Sequence, residues 1–264
     1  MKNNPRPLAL VTGASSGIGA SLARELAKDG HDLILAARRL EPMQVLAAEL
    51  GNVGSNCTII AADLSKSGAA GALVRDIEAQ GLVVDVLINA AGLGANGRFE
   101  ESDPLRVTEM LQVNVVALTE LTRMLLPAMV ARRKGRVMLM ASTAGFQPGP
   151  QMAVYCASKA YVLNFGEAIA YELQGSGVTV TTLCPGATDT EFAHVADAGG
   201  SALFKGLLPV MSASDVAQIG YQGLKAGRGV VITGLVNKIM ATSSRLSPTP
   251  VSLRIANWMM STGR

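Results

Sequence analysis

Short apolar runs recur along the chain at intervals long enough for a helix to fit between them. LALVTG (8–13), HDLILAAR (31–38), NCTIIAAD (56–63), VDVLINAAG (84–92), GRVMLMAS (135–142), VTVTTLCPG (178–186) and GVVITG (229–234) read as seven strands. Helical patterns over roughly 17–29 and near 41–50 separate the first three. The runs are apolar at successive positions, so each strand must be buried on both faces. Such strands, alternating with helices, predict a parallel sheet covered on both sides, a doubly wound α/β architecture. No repeat, low-complexity tract or linker interrupts the pattern, and residues 1–264 are expected to form a single domain.

Three stretches depart from this rhythm. From Asp103 to Arg132 a helix is expected, with Asp103 as N-cap, Pro104 at the first helical position and Pro127 kinking or ending it late. Its apolar residues cover more than one stripe. One face can pack on the sheet and another on a second subunit, so a homodimer or homotetramer is favoured. Residues 187–211 are expected to form a lid, with Gly199, Gly200 and Gly206 as flexible points and a helix start at SASD (212–215). Phe192, Leu203, Phe204, Leu207 and Leu208 in that lid suggest an apolar substrate, and His194 is read as solvent-exposed. Residues 235–264 look like an extension in which Val251, Leu253, Ile255, Trp258 and Met259 mix with Arg254 and Arg264. Packing within the protein ranks first for it, ahead of a subunit interface and, last, a membrane surface.

Composition narrows the function classes. Hydrophobic residues make up 49% and charged residues 16%, the reverse of a disordered chain. A net charge of +3 from scattered residues gives no basis for a nucleic-acid partner. Cys57, Cys156 and Cys184 form no CxxC pair and read as reduced thiols in the cytoplasm. His31 and His194 are too far apart in sequence to suggest a metal site, so no metal is expected. The N-terminus lacks a leader pattern, and no uninterrupted apolar run is long enough for a membrane-spanning helix.

The candidate chemistry begins at VTGASSGIGA, between the first strand and the first helix. Gly13, Gly17 and Gly19, with Ser15, Ser16 and Ile18 between them, would let backbone N–H groups and a helix N-terminus approach a pyrophosphate. The second strand ends LAARRLE. Ala37 stands where an acid would serve a ribose hydroxyl, and Arg38 and Arg39 suit a 2′-phosphate, so NADP(H) is favoured over NAD(H) despite nearby Glu41. Asp63 and Leu64 close the third strand where adenine would lie. NAAG, that is Asn89, Ala90, Ala91 and Gly92, closes the fourth at the carboxyl edge of the sheet.

At QMAVYCASKAY, Tyr155 and Lys159 stand four residues apart and would share one helix face. An ammonium beside a phenol favours the phenolate, so the tyrosine should titrate below its ordinary value. Cys156, one residue on, faces elsewhere and reads as a packed thiol.

TGASSGIG (12–19), NAAG, Asn114 in LQVNVVAL, Ser142 in MLMAST, YCASK (155–159) and PGATDT (185–190) occur in the order and spacing of the short-chain dehydrogenase/reductase family, which nearly the whole chain resembles. One departure is NAAG, where many members carry two consecutive asparagines. The resemblance implies a Rossmann-type fold and a nicotinamide-dependent oxidoreductase acting on a small carbonyl or secondary alcohol, with NADP(H) favoured by Arg38 and Arg39. It implies Tyr155 as proton donor in reduction and Ser142 as the group polarising the carbonyl. Lys159 would lower the tyrosine's pKa and bind the nicotinamide ribose, and Asn114 would hold a water beyond it. Pro185, Gly186, Thr188 and Thr190 would flank the nicotinamide. A non-catalytic nucleotide-sensing module would not need Asn114, Ser142, Tyr155 and Lys159 together, and a sugar-nucleotide epimerase would need a larger C-terminal domain.

Overall fold

The computed structural model describes residues 6–191 and 210–260. Its strands are β1 (Leu8–Thr12), β2 (Asp32–Ala37), β3 (Cys57–Ala61), β4 (Val86–Asn89), β5 (Gly135–Met140), β6 (Val178–Cys184), β7 (Thr188–Asp189), β8 (Met211–Ser212) and β9 (Val230–Ile232). Seven of them form one sheet in the order β3-β2-β1-β4-β5-β6-β9, with every pairing parallel. These are the seven strands the sequence pattern predicts. The two-residue β7 and β8 pair separately and were too short to show a periodicity.

Burial explains the apolar runs. Along β1, Leu10 enters a core on one side of the sheet, while Ala9 and Val11 enter a second core on the other. The second core is closed by α1 (Gly17–Lys28), α2 (Leu40–Gly51) and, later in the chain, α7 (Ala213–Lys225), through Leu22, Leu26, Met43, Leu46, Val216 and Leu224. The first core is closed by α3 (Ala69–Ala79), α4 (Pro104–Leu111), α5 (Leu118–Ala131) and α6 (Ala153–Glu172). Strand order reverses between β1 and β4, and a crevice opens at their carboxyl ends, where doubly wound sheets bind ligands.

The long helix expected over 103–132 differs in one respect. It starts as predicted, with Asp103 accepting from the Leu105 backbone N–H at 2.9 Å and Pro104 at the first position. It then loosens into a π-helical segment, Gln112–Ala117, before α5. Pro127 lies inside α5, which runs on to Ala131. By length and composition, Pro104–Ala131 could cross a membrane. Met110, Val113, Ala117, Leu118, Leu121 and Met129 are nonetheless buried in the core that this helix builds on the sheet.

SASD caps α7 as expected: the Ser212 hydroxyl accepts from the Asp215 N–H at 3.0 Å and donates to its carboxylate at 2.7 Å. Residues 235–260 form two further helices, α8 (Leu235–Leu246) and α9 (Thr249–Met260). The lid residues Phe192, His194, Leu203, Phe204, Leu207 and Leu208 lie outside the described residues.

Candidate active site

The crevice is built first by backbone. After β1 the chain turns at Gly13, whose φ of +67° strains any other residue; a Cβ there would lie 2.8 Å from the Ala91 backbone. A Cβ on Gly19 would lie 2.3 Å from the Gly13 carbonyl oxygen, so α1 can start this close to the strand only with glycine. Ser16 is the N-cap of α1, yet its hydroxyl makes no bond to the first turn. It is hydrogen-bonded instead to Glu191. The first N–H groups of a twelve-residue helix therefore open toward the crevice without a side-chain cap, which suits an anionic pyrophosphate.

The opposite lip is NAAG. Thr12, at the end of β1, donates to the Ile88 carbonyl at 3.3 Å and accepts from the Ala90 and Ala91 N–H groups at 3.1 and 3.2 Å. Thr12 thus fixes the loop that approaches Gly13, a role the sequence reading missed. The signal was a lone hydroxyl closing an otherwise apolar strand. Asn89 anchors the loop behind by donating to Thr122 Oγ1 at 3.0 Å.

Arg38 and Arg39, following β2, line the same crevice with Asp63, Leu64 and Ser65. The Asp63 carboxylate accepts from both the hydroxyl (2.7 Å) and the N–H (3.1 Å) of Ser65. Arg39 is engaged too: its guanidinium donates to the Glu191 carboxylate at 2.6 Å. Glu191 was absent from the predicted site because the pairing spans 152 residues of chain. Glu41, the acid weighed against the arginines, does not line the crevice.

At the other end lie the side chains expected to do chemistry. Ser142, just past β5, caps a short 3₁₀ turn (Thr143–Phe146) by accepting from the Ala144 N–H at 3.1 Å. Its hydroxyl also hydrogen-bonds the Tyr155 phenol. Tyr155 and Lys159 share one face of α6, with Lys159 Nζ 5.6 Å from the Tyr155 ring centre. Both are buried, and Nζ donates to the Met140 carbonyl at 2.8 Å. Asn114 sits in the π segment, fully buried. Its amide clamps Leu93, accepting from the N–H at 2.8 Å and donating to the carbonyl at 2.9 Å, and it donates to Ser158 Oγ at 3.0 Å. A Cβ on Gly92 would lie 3.5 Å from both Asn114 Oδ1 and Lys159 Nζ, so the two polar groups converge on that glycine.

One expectation is corrected. The Tyr155 phenol titrates above its ordinary value, not below, because burial penalises the phenolate more than the Ser142 hydrogen bond stabilises it. Burial likewise pulls Lys159 down to about 8. The Lys159 ammonium, still charged at neutral pH, does not outweigh that desolvation. Cys156 is a packed thiol, as expected; burial pushes it up to about 11, and it lies against Gly149, where a Cβ would meet its sulfur at 2.3 Å.

Pro185, Gly186, Thr188 and Thr190 complete the wall between Ser142 and Gly17. Gly186 is seated on Asn237 of α8, whose amide a Cβ would approach to 2.3 Å, and Asn237 donates to the Thr233 carbonyl at 2.7 Å. Part of the C-terminal extension therefore packs within the protein, behind this loop. The structure brings every predicted cofactor and catalytic residue except Asn89 and Asn114 onto one crevice wall, and those two hold it from behind.

The family model for short chain dehydrogenases matches residues 7–199. A ketoacyl reductase, HetN, from Nostoc sp. is 32% identical over 257 residues, covering 94% of this chain and 88% of its own. A solved short-chain dehydrogenase from Sphingobium yanoikuyae in complex with NADPH superposes with a TM-score of 0.79 at 30% identity, over 90% of this chain and 92% of that one. A short-chain dehydrogenase/reductase from Burkholderia phymatum in complex with NAD does so with a TM-score of 0.79 at 26% identity, over 92% and 94%. The chain belongs to the short-chain dehydrogenase/reductase family, whose members are NAD(P)-dependent oxidoreductases.

Proposed function

We propose that this protein transfers hydride between NADP(H) and a carbonyl or secondary alcohol, with an apolar ketone or acyl-type compound as substrate. The observation that carries it is the Tyr155–Ser142 hydrogen bond beside the buried Lys159, at the end of a crevice whose other end is an uncapped helix N-terminus.

The residues present fit a dinucleotide. The Gly13–Gly19 turn and the open start of α1 would hold its pyrophosphate, Arg38 and Arg39 its 2′-phosphate, Asp63 and Leu64 its adenine, and Thr188 and Thr190 its carboxamide end. When bound, the nicotinamide supplies the hydride. The chain supplies the proton: Tyr155, kept protonated by burial, is the donor to a carbonyl oxygen that the Ser142 hydroxyl also contacts. Lys159 is the nearby cation that compensates charge on the phenol and would reach the ribose. Asn114 is its neighbour across Gly92 and would hold a water there. Exposed apolar residues on α4, the π segment, α5 and α6, among them Leu105, Leu111, Val116, Met124 and Tyr161, support self-association into a dimer or tetramer. Three unpaired thiols support a cytoplasmic setting.

The test is titration with NADPH against NADH, for the native chain and for Arg38→Asp. Tighter NADPH binding that Arg38→Asp selectively weakens, by about tenfold or more for a lost charged contact to phosphate, is expected. Equal loss for both cofactors, or a native preference for NADH, would remove the 2′-phosphate assignment.

A further inference from the structure

The last acidic residue in the chain is Asp215. Residues 216–264 hold Lys225, Arg228, Lys238, Arg245, Arg254 and Arg264 against no Asp or Glu, so the net +3 divides into +6 there and −3 over residues 1–215. The last two helices of this segment are also oriented unusually. On α8, Asn237 and Ala241 face the protein, while Leu235, Ile239 and Leu246, at spacings of four and seven, are exposed by 74%, 62% and 82%. On α9, Ser252 and Ala256 are buried, while Val251, Ile255 and Trp258, at i, i+4 and i+7, are exposed. Each helix thus turns an aliphatic stripe away from its own core, where a surface helix ordinarily shows polar residues. Lys238 and Arg254 flank these stripes, and neither joins an ion pair among the described residues.

We propose that α8 and α9 form a docking face for an anionic membrane surface, on which the stripes and Trp258 enter the headgroup boundary and Lys238 and Arg254 meet lipid phosphates. This goes beyond the catalytic reading and does not depend on it. Aliphatic stripes, an exposed tryptophan and flanking cations without acids are the composition of an interfacial helix. A second copy fits less well, because a two-fold contact would set the same acid-free, basic faces against each other. By their other sides, turned away from the stripes, the two helices adjoin the candidate active site. Ser244 of α8 donates to the Phe146 carbonyl at 3.5 Å, and Gln151 donates to Asn257 of α9 at 3.3 Å, so the two helices flank the chain between Ser142 and Tyr155. Docked this way, the protein would hold that chain segment behind the two helices, one helix layer from the lipid phase.

Trp258 is the single tryptophan of the chain, which makes the native protein its own probe. With vesicles containing phosphatidylglycerol, its emission should shift to the blue and be quenched by brominated acyl chains, and added salt should reverse both changes. Phosphatidylcholine vesicles should produce neither. Lys238→Gln and Arg254→Gln should each lower vesicle partition about fivefold, and Ile255→Ser about tenfold, with NADPH binding unchanged. An emission response to neither vesicle, or an equal response to both, overturns the proposal. Ile255→Ser lowering the mass of the assembly while leaving vesicle partition intact would make this face an interface between copies. A response to an acidic protein but not to vesicles would assign it to a protein partner.

Discussion

The two ends of the crevice are made in opposite ways. The nucleotide end is backbone: glycines at 13, 17 and 19 allow a strand, a loop and a helix to meet, and what faces the ligand is N–H groups. Its charged side chains, Arg38 and Arg39, are exposed. The catalytic end is side chain: Ser142, Tyr155, Lys159 and Asn114 are all buried, and their polar atoms bond to carbonyls and to one another. The first end recognises by shape and charge that solvent can screen. The second concentrates polar groups where water is scarce, so that small displacements and single atoms matter. Substitutions should therefore separate binding from chemistry according to the end they touch.

The largest effect should come from one oxygen. Tyr155→Phe keeps the ring in its buried slot and removes only the proton donor. Turnover should fall by about 10³-fold or more, with the NADPH dissociation constant moving less than about twofold. Retained turnover would take Tyr155 out of the reaction; equal loss of cofactor binding would mean that the two ends are not separable. Next comes a change at the opposite end. Gly19→Ala places a methyl 2.3 Å from the Gly13 carbonyl, against backbone that cannot swing aside. It should lower both cofactor affinity and thermal stability, the latter by about 2–4 kcal/mol, whereas Tyr155→Phe should leave stability nearly unchanged.

How legible each end was follows from the same contrast. Strand positions were readable because burial on both faces leaves an unmistakable apolar run, and the glycine turn because its spacing is local. Tyr155 and Lys159 were readable as a pair on one helix face, but not their electrostatics. Their neighbours, Met140 and Ser142, arrive from another strand, and the degree of burial that raises the phenol's pKa is a property of the packed core. The π segment that sets Asn114 was not legible. An i to i+5 register needs no special residue, and the apolar positions of QVNVVA suit an ordinary helix equally well. Glu191 was invisible for a similar reason, since its partners Arg39 and Ser16 are brought to it only by the closed crevice.

A smaller effect should appear in pH dependence. Burial lowers Lys159 to about 8, below the unfolded-chain value of about 10.4. Between those values the unfolded state binds more protons, so folding stability should rise with pH across that window. Below pH about 8 the folded protein carries the full cost of a buried ammonium. Lys159→Met should therefore be more stable than the native protein at neutral pH, by up to a few kcal/mol, and the margin should shrink as pH rises toward 10. Melting curves across that range check it. A margin independent of pH would mean that Lys159 titrates normally, and the catalytic end would then be wetter than its burial implies.

The smallest effect tests whether the nucleotide end is as screened as its exposure suggests. Glu191 bonds to Arg39 and Ser16, two groups proposed for cofactor phosphates, so its carboxylate stands where an incoming anion would be bound. Arg39 and Glu191 side chains are about half exposed (51% and 57%), and such a pair contributes no more than about 1 kcal/mol. Glu191→Gln keeps the shape and removes the charge. It should tighten NADPH by at most about fivefold, leave NADH within error, and lose its advantage in high salt. A tenfold or greater gain that survives salt would mean that Glu191 competes in a desolvated pocket, and the nucleotide end would have to be regrouped with the catalytic one. No change at all would leave Arg38 as the sole phosphate partner, with Arg39 retained only to hold Glu191 at the mouth of the crevice.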